Sequence, residues 1–103
     1  MKKANILGTE YEITHDLENE ERDGECAIYN KHIKIRPLEK LLEEECTDEE
    51  RKAREKEVMR HELFHALFHE AGAMEWCCDE RLVDFMAMQS PKIFKVFQEL
   101  NIL

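Results

Sequence analysis

The residues best suited to chemistry are His61-Glu62-Leu63-Phe64-His65, an H-E-x-x-H arrangement inside a stretch that reads as a long helix. Histidines four apart stand about 40° apart around a helix and roughly 6 Å along it, so both imidazoles reach one ion from one face. Glu62 is offset by about 100° from His61, which aims it at a water on that ion rather than at the ion itself. A catalytic zinc takes three protein ligands in a tetrahedral site and leaves the fourth position to water. Glu80 is the expected third ligand, since it follows His65 across a turn containing Gly72 and can return on a second, antiparallel helix. Asp84, one helical turn beyond Glu80, is then the carboxylate expected to hydrogen-bond the free N–H of a ligating histidine and fix its tautomer. Such a site is expected to activate a water: zinc would acidify it, and Glu62 is placed to take its proton as general base.

Other side chains compete for these roles. His69 continues the histidine series but lies about 80° around and roughly 12 Å along the helix from His61, too far to share an ion. Phe68 and Ala71 stand where the metzincin spacing requires Gly and a third His. A helix-end histidine favoured by the macrodipole is the expectation for His69. If Cys77 or Cys78 joined His61 and His65, the site could close and become structural; otherwise both are small buried hydrophobes. His15 and His32 fall in the β region and are expected at the surface. The oxyanion would need a donor from Tyr29, Tyr11, His32 or Arg81, none of which carries a motif.

The elements that must position these groups are legible in outline. Ile6-Leu7 and Tyr11 with Ile13 form one or two strands around Gly8. After a polar loop from Asp16 to Gly24, Cys26–Tyr29 and His32–Arg36 form a hairpin around Asn30-Lys31. Ile33 and Ile35 face one way, with the period of a half-buried strand. An antiparallel sheet is expected, with His32–Arg36 as an edge strand able to hold an extended peptide. Pro37 ends the strand, and a short helix is expected over Leu38–Glu45. Thr47-Asp48-Glu49-Glu50 is a capping box opening a helix to about Glu70, with Gly72 past its end. Its first half is almost wholly charged, with a Glu50–Arg54 pair expected, and its second half is apolar on several sides. The histidines therefore sit where the helix enters the core. A connection over 73–78, a helix from Asp79 to Gln89, and another opened by Ser90-Pro91 complete the chain. Ile93, Phe94, Phe97 and Leu100 give the last helix an apolar face expected to pack in the core.

The whole is an α+β chain, a small N-terminal sheet followed by three or four helices, and at 103 residues one domain spanning 1–103. With 15 basic and 24 acidic residues the net charge is −9, which disfavours nucleic acid and anionic lipid as partners. Ala4–Leu7 is too short and interrupted for a leader peptide, and no apolar run reaches the length that spans a bilayer. The four cysteines lack C-x-x-C spacing and are expected to be reduced thiols, as in a cytoplasmic protein.

The pairing of His61-Glu62-Leu63-Phe64-His65 with Glu80-Arg81-Leu82-Val83-Asp84-Phe85-Met86-Ala87 resembles the gluzincin pattern, H-E-x-x-H then E-x-x-x-D on a later helix. Its compact form is similar to the ImmA/IrrE-like metallopeptidases of phages and mobile elements. Their second motif usually reads E-x-x-A-N/D-x-F-A; Glu80, Asp84 and Ala87 match, while Val83 and Met86 depart from it. The resemblance covers roughly residues 58–90 and implies a minimal zincin-like core, a zinc cofactor, and a protein or peptide substrate. Relatives of that kind cleave repressor-type regulatory proteins, so such a substrate is implied here only by analogy. A zinc-binding interaction module without hydrolysis is the alternative, and a helical structural protein the remaining one.

Overall fold

A computed structural model describes residues 2–103. Strands β1 (Lys2–Ile6) and β2 (Thr9–Thr14) form a hairpin, and its turn residues Leu7 and Gly8 both take positive φ, 51° and 93°. A two-residue turn of that hand matches the twist of the strands it joins. Along β2, Tyr11 and Ile13 are buried while Glu10 and Glu12 face solvent. Strands β3 (Gly24–Ala27) and β4 (His32–Ile35) form the second hairpin, with Ile33 and Ile35 fully buried.

The strand order is β1-β2-β4-β3, and β2 runs parallel to β4 through Ile13 opposite Ile33. The sheet is therefore mixed rather than antiparallel throughout. Residues 15–23 are long enough to carry the chain past the place beside β2, so β3 forms outside and β4 returns between them. Side-chain alternation fixes which face of a strand is buried but not its neighbour. The same order places β4 in the interior of the sheet, not at an edge, and leaves β1 and β3 as the edge strands.

Only a 3-10 turn, Leu38–Lys40, forms where a short helix is expected. Beyond it the backbone is pinned by Arg51, which donates to the carbonyls of Leu41, Glu43 and Cys46 at 3.1, 2.8 and 2.7 Å. Helix α1 (Asp48–Glu70) opens on the capping box: Thr47 accepts from the Glu50 amide at 3.1 Å, and Glu50 accepts from the Thr47 amide at 3.0 Å. Glu50 is thereby engaged, and Arg54 pairs with Asp23 and Glu57 instead of with Glu50. The charged half of α1 thus anchors loops as well as facing water.

Val58 and Ala66 of α1 join Ile6, Tyr11, Ile13, Ile33 and Ile35 in the core between helix and sheet. At the far end, Glu70 accepts from Tyr11 Oη (2.6 Å), Thr9 Oγ1 (2.8 Å) and Lys31 Nζ (2.7 Å), tying α1 to the sheet. Gly72, with φ 77°, turns the chain into the one-turn helix α2 (Met74–Cys77). Helix α3 (Glu80–Glu99) then packs along α1, capped by the Asp79 side chain on the Leu82 amide.

The break expected at Ser90-Pro91 does not occur, because Pro91 lies inside α3. Proline cannot bond the carbonyl four residues back; Arg60 Nε of α1 takes that Ala87 oxygen at 2.6 Å. Past this point the expected core face is largely uncovered, with Phe94 51% and Leu100 63% exposed. Among the described residues, no helix is long and apolar enough to cross a membrane.

Candidate metal centre

α1 presents His61 and His65 one turn apart on the face toward α3, and the α2 turn returns the chain so that α3 begins with Glu80 beside them. The two Nε2 atoms are 3.2 Å apart. Glu80 Oε2 lies 3.3 Å from His61 Nε2, and Glu80 Oε1 lies 3.1 Å from His65 Nε2. Three metal-ligating groups therefore converge, and His61, His65 and Glu80 could hold an ion. Ligand atoms held about 2.0–2.1 Å from a tetrahedral zinc stand roughly 3.3–3.4 Å apart, so the spacing fits that ion.

The other face of each ring fixes its tautomer. His65 Nδ1 lies 2.6 Å from the Cys77 carbonyl oxygen, which can only accept, so Nδ1 carries the proton. His61 Nδ1 donates to Asp84 Oδ1 at 2.9 Å. With Nδ1 engaged in each ring, Nε2 is the atom each histidine has left to offer a metal. Asp84 thus stands where the spacing puts it. The Cys77 carbonyl was not foreseeable, because a backbone oxygen leaves no side-chain signal.

Cys77 does not join the cluster. Its Sγ donates to the His65 carbonyl at 3.3 Å and lies 4.0 Å from Nδ1, the side of the ring away from Glu80. Burial pushes its thiol pKa up. All four cysteines are free thiols. His69 is also apart, its Nδ1 3.0 Å from Met74 Sδ and its ring against Tyr29. His15 pairs with Glu55, and His32 Nε2 meets Thr14 Oγ1 at 2.8 Å.

Glu62 is 6% exposed and lines the same cavity as His61, His65 and Glu80, a space of about 680 Å³. Burial raises its pKa to about 7, the charge of Glu80 adds to the shift, and the charge of Arg22 opposes it. Its carboxyl has room only because residue 24 is glycine: a Cβ there would lie 3.0 Å from Glu62 Oε2 and 2.6 Å from Val58 Cγ1. The start of edge strand β3 is thus pressed onto α1 directly over Glu62.

The side chains expected to furnish an oxyanion donor do not line this cavity. Tyr11 is fully buried and committed to Glu70, with a pKa raised by burial. His32 is engaged with Thr14, and Tyr29 points into solvent beside His69. Arg22, on the loop before β3, does line it, next to Glu21 and Glu25. Comparison with known proteins returns no match: no family model, no curated protein and no solved structure.

Proposed function

We propose that the chain is a zinc-dependent peptidase of the gluzincin type, with His61, His65 and Glu80 holding the metal. The observation that carries this reading is the convergence of both Nε2 atoms and the two Glu80 carboxylate oxygens at 3.1–3.3 Å, with both Nδ1 groups tied behind them. Bound zinc would supply an acidified water and a polarised carbonyl. Asp84 and the Cys77 carbonyl orient the two rings. Glu62, beside the triad and shielded from bulk solvent, accepts the proton of the attacking water and passes it to the leaving amine. The edge available to an extended peptide is β3, since β4 is paired on both sides. Gly24, Glu25 and Cys26 of β3 line the cavity, so a peptide added there runs past Glu62. A repressor-type protein is the substrate suggested by the resemblance of the two motifs.

One observation favours the alternative, a zinc-bearing interaction module: none of the four residues expected to stabilise an oxyanion reaches the cavity. The Glu62→Gln variant separates the readings. It keeps the side chain's size but cannot accept a proton, and a general base contributes about 10²- to 10⁴-fold. The expected result is unchanged zinc content with cleavage of a peptide library, or of repressor-type proteins, reduced by that factor. Zinc binding with no turnover by the parent chain would favour the module.

A further inference from the structure

Every cation at the cavity except one is already used. Arg54 is clamped by Asp23 Oδ2 at 2.8 Å and by Glu57 at 3.2 Å. Arg22 lines the same space as His61, Glu62 and Glu80, and makes no hydrogen bond or ion pair among the described residues. Its backbone is nonetheless held on both sides. Upstream, Asn19 accepts from the Glu21 amide at 2.7 Å, and its carbonyl accepts from Arg36 Nη2. Downstream, Asp23 takes the Arg36 amide on its carbonyl at 2.8 Å, Arg36 Nη1 on Oδ1 at 3.1 Å, and Arg54 on Oδ2. Gly24 then sits against Val58 and Glu62. The loop is fixed over the site, while the guanidinium it carries has no partner of its own.

An unpaired guanidinium at the rim of a largely acidic cavity is a standing receptor for negative charge. Its planar fork suits two oxygens on one centre. The reaction proposed above generates such a charge. When water adds to the scissile carbonyl, the new C–O bond forms, the C=O π pair moves onto oxygen, and Glu62 takes the water's proton. Collapse restores C=O, breaks C–N and returns that proton to the amine nitrogen. We propose that Arg22 receives the oxygen that becomes negative in this step, a role that rests on the peptidase reading.

The test uses zinc-loaded full-length chain and an N-phosphoryl dipeptide, whose tetrahedral phosphoryl oxygens mimic that state, as free acid and as C-terminal amide. Arg22→Gln is expected to weaken both probes on the order of 100-fold, the loss typical for one oxyanion donor. Zinc affinity and melting temperature should be unchanged, because Arg22 has no structural partner, and Arg22→Lys should restore part of the affinity. Equal binding by Arg22→Gln and the parent overturns the proposal. Loss confined to the free acid also overturns it, and makes Arg22 a receptor for the peptide's terminal carboxylate. A parent chain that takes up no zinc fails at the peptidase reading itself, which zinc titration reports separately.

Discussion

Gly24→Ala probes the contact that sets β3 over Glu62. The added Cβ would lie 2.6 Å from Val58 Cγ1, about 1 Å inside the usual separation of touching carbons, and 3.0 Å from Glu62 Cγ. Val58 is buried and β-branched, so it has no alternative rotamer to retreat into. Because Gly24 does not occupy the left-handed region, alanine carries no backbone strain there and gains about 0.4–1 kcal/mol from the unfolded chain. Overpacking of this kind costs about 1–3 kcal/mol, so a net loss of about 1–2 kcal/mol is expected. At roughly 4–8 °C per kcal/mol for a domain of this size, melting should fall by about 5–15 °C. Removing the clash from the other side, Val58→Ala in the Gly24→Ala background, should cost less than Val58→Ala alone, a coupling readable in a double-mutant cycle. Zinc affinity should hold, since no ligand is touched. Cleavage should drop by up to about 10²-fold, because Glu62 is displaced. A variant as stable as the parent, or more stable, would refute the close approach of β3 to α1.

Asp84→Ala should leave His61 without its Nδ1 partner and weaken zinc binding roughly 10- to 100-fold, as measured by competition with a chromogenic chelator. Glu70 has its pKa lowered to about 2 by hydrogen bonds from Lys31, Tyr11 and Thr9. Its contribution to stability is therefore complete above the unfolded value, about 4.3, and is lost as pH falls toward 2. Urea midpoints across that range should flatten in Glu70→Gln, and Tyr11→Phe should cost about 1.5–3 kcal/mol at neutral pH through loss of a charged hydrogen bond.

Features written locally in the chain are the ones the sequence made legible. Thr47 and Glu50 cap α1 from three residues apart, and the Ile33/Ile35 alternation buries one face of β4. His61, His65, Glu80 and Asp84 could be grouped because helix periodicity relates each pair and one turn relates the two helices. Features set by distant partners were not legible. The place of β4 beside β2 depends on where residues 15–23 lead the chain, and the continuity of α3 through Pro91 depends on Arg60 meeting a carbonyl twenty-seven residues away. The Cys77 carbonyl behind His65 and the place of Arg22 in the lining of the cavity belong to backbone placement, for which side-chain types carry no signal. The apolar face of the last helix was legible as a face, but not as one that this chain leaves largely uncovered.

If His61, His65 and Glu80 together hold one zinc ion, titration of metal-free protein with zinc, beside His65→Ala and Glu80→Ala, reads it out. The expected result is one tightly held zinc per parent chain and a large loss of affinity in both variants, with neither change abolishing the fold. A parent chain that binds no zinc, or a Glu80→Ala variant that binds it as tightly as the parent, would contradict the account.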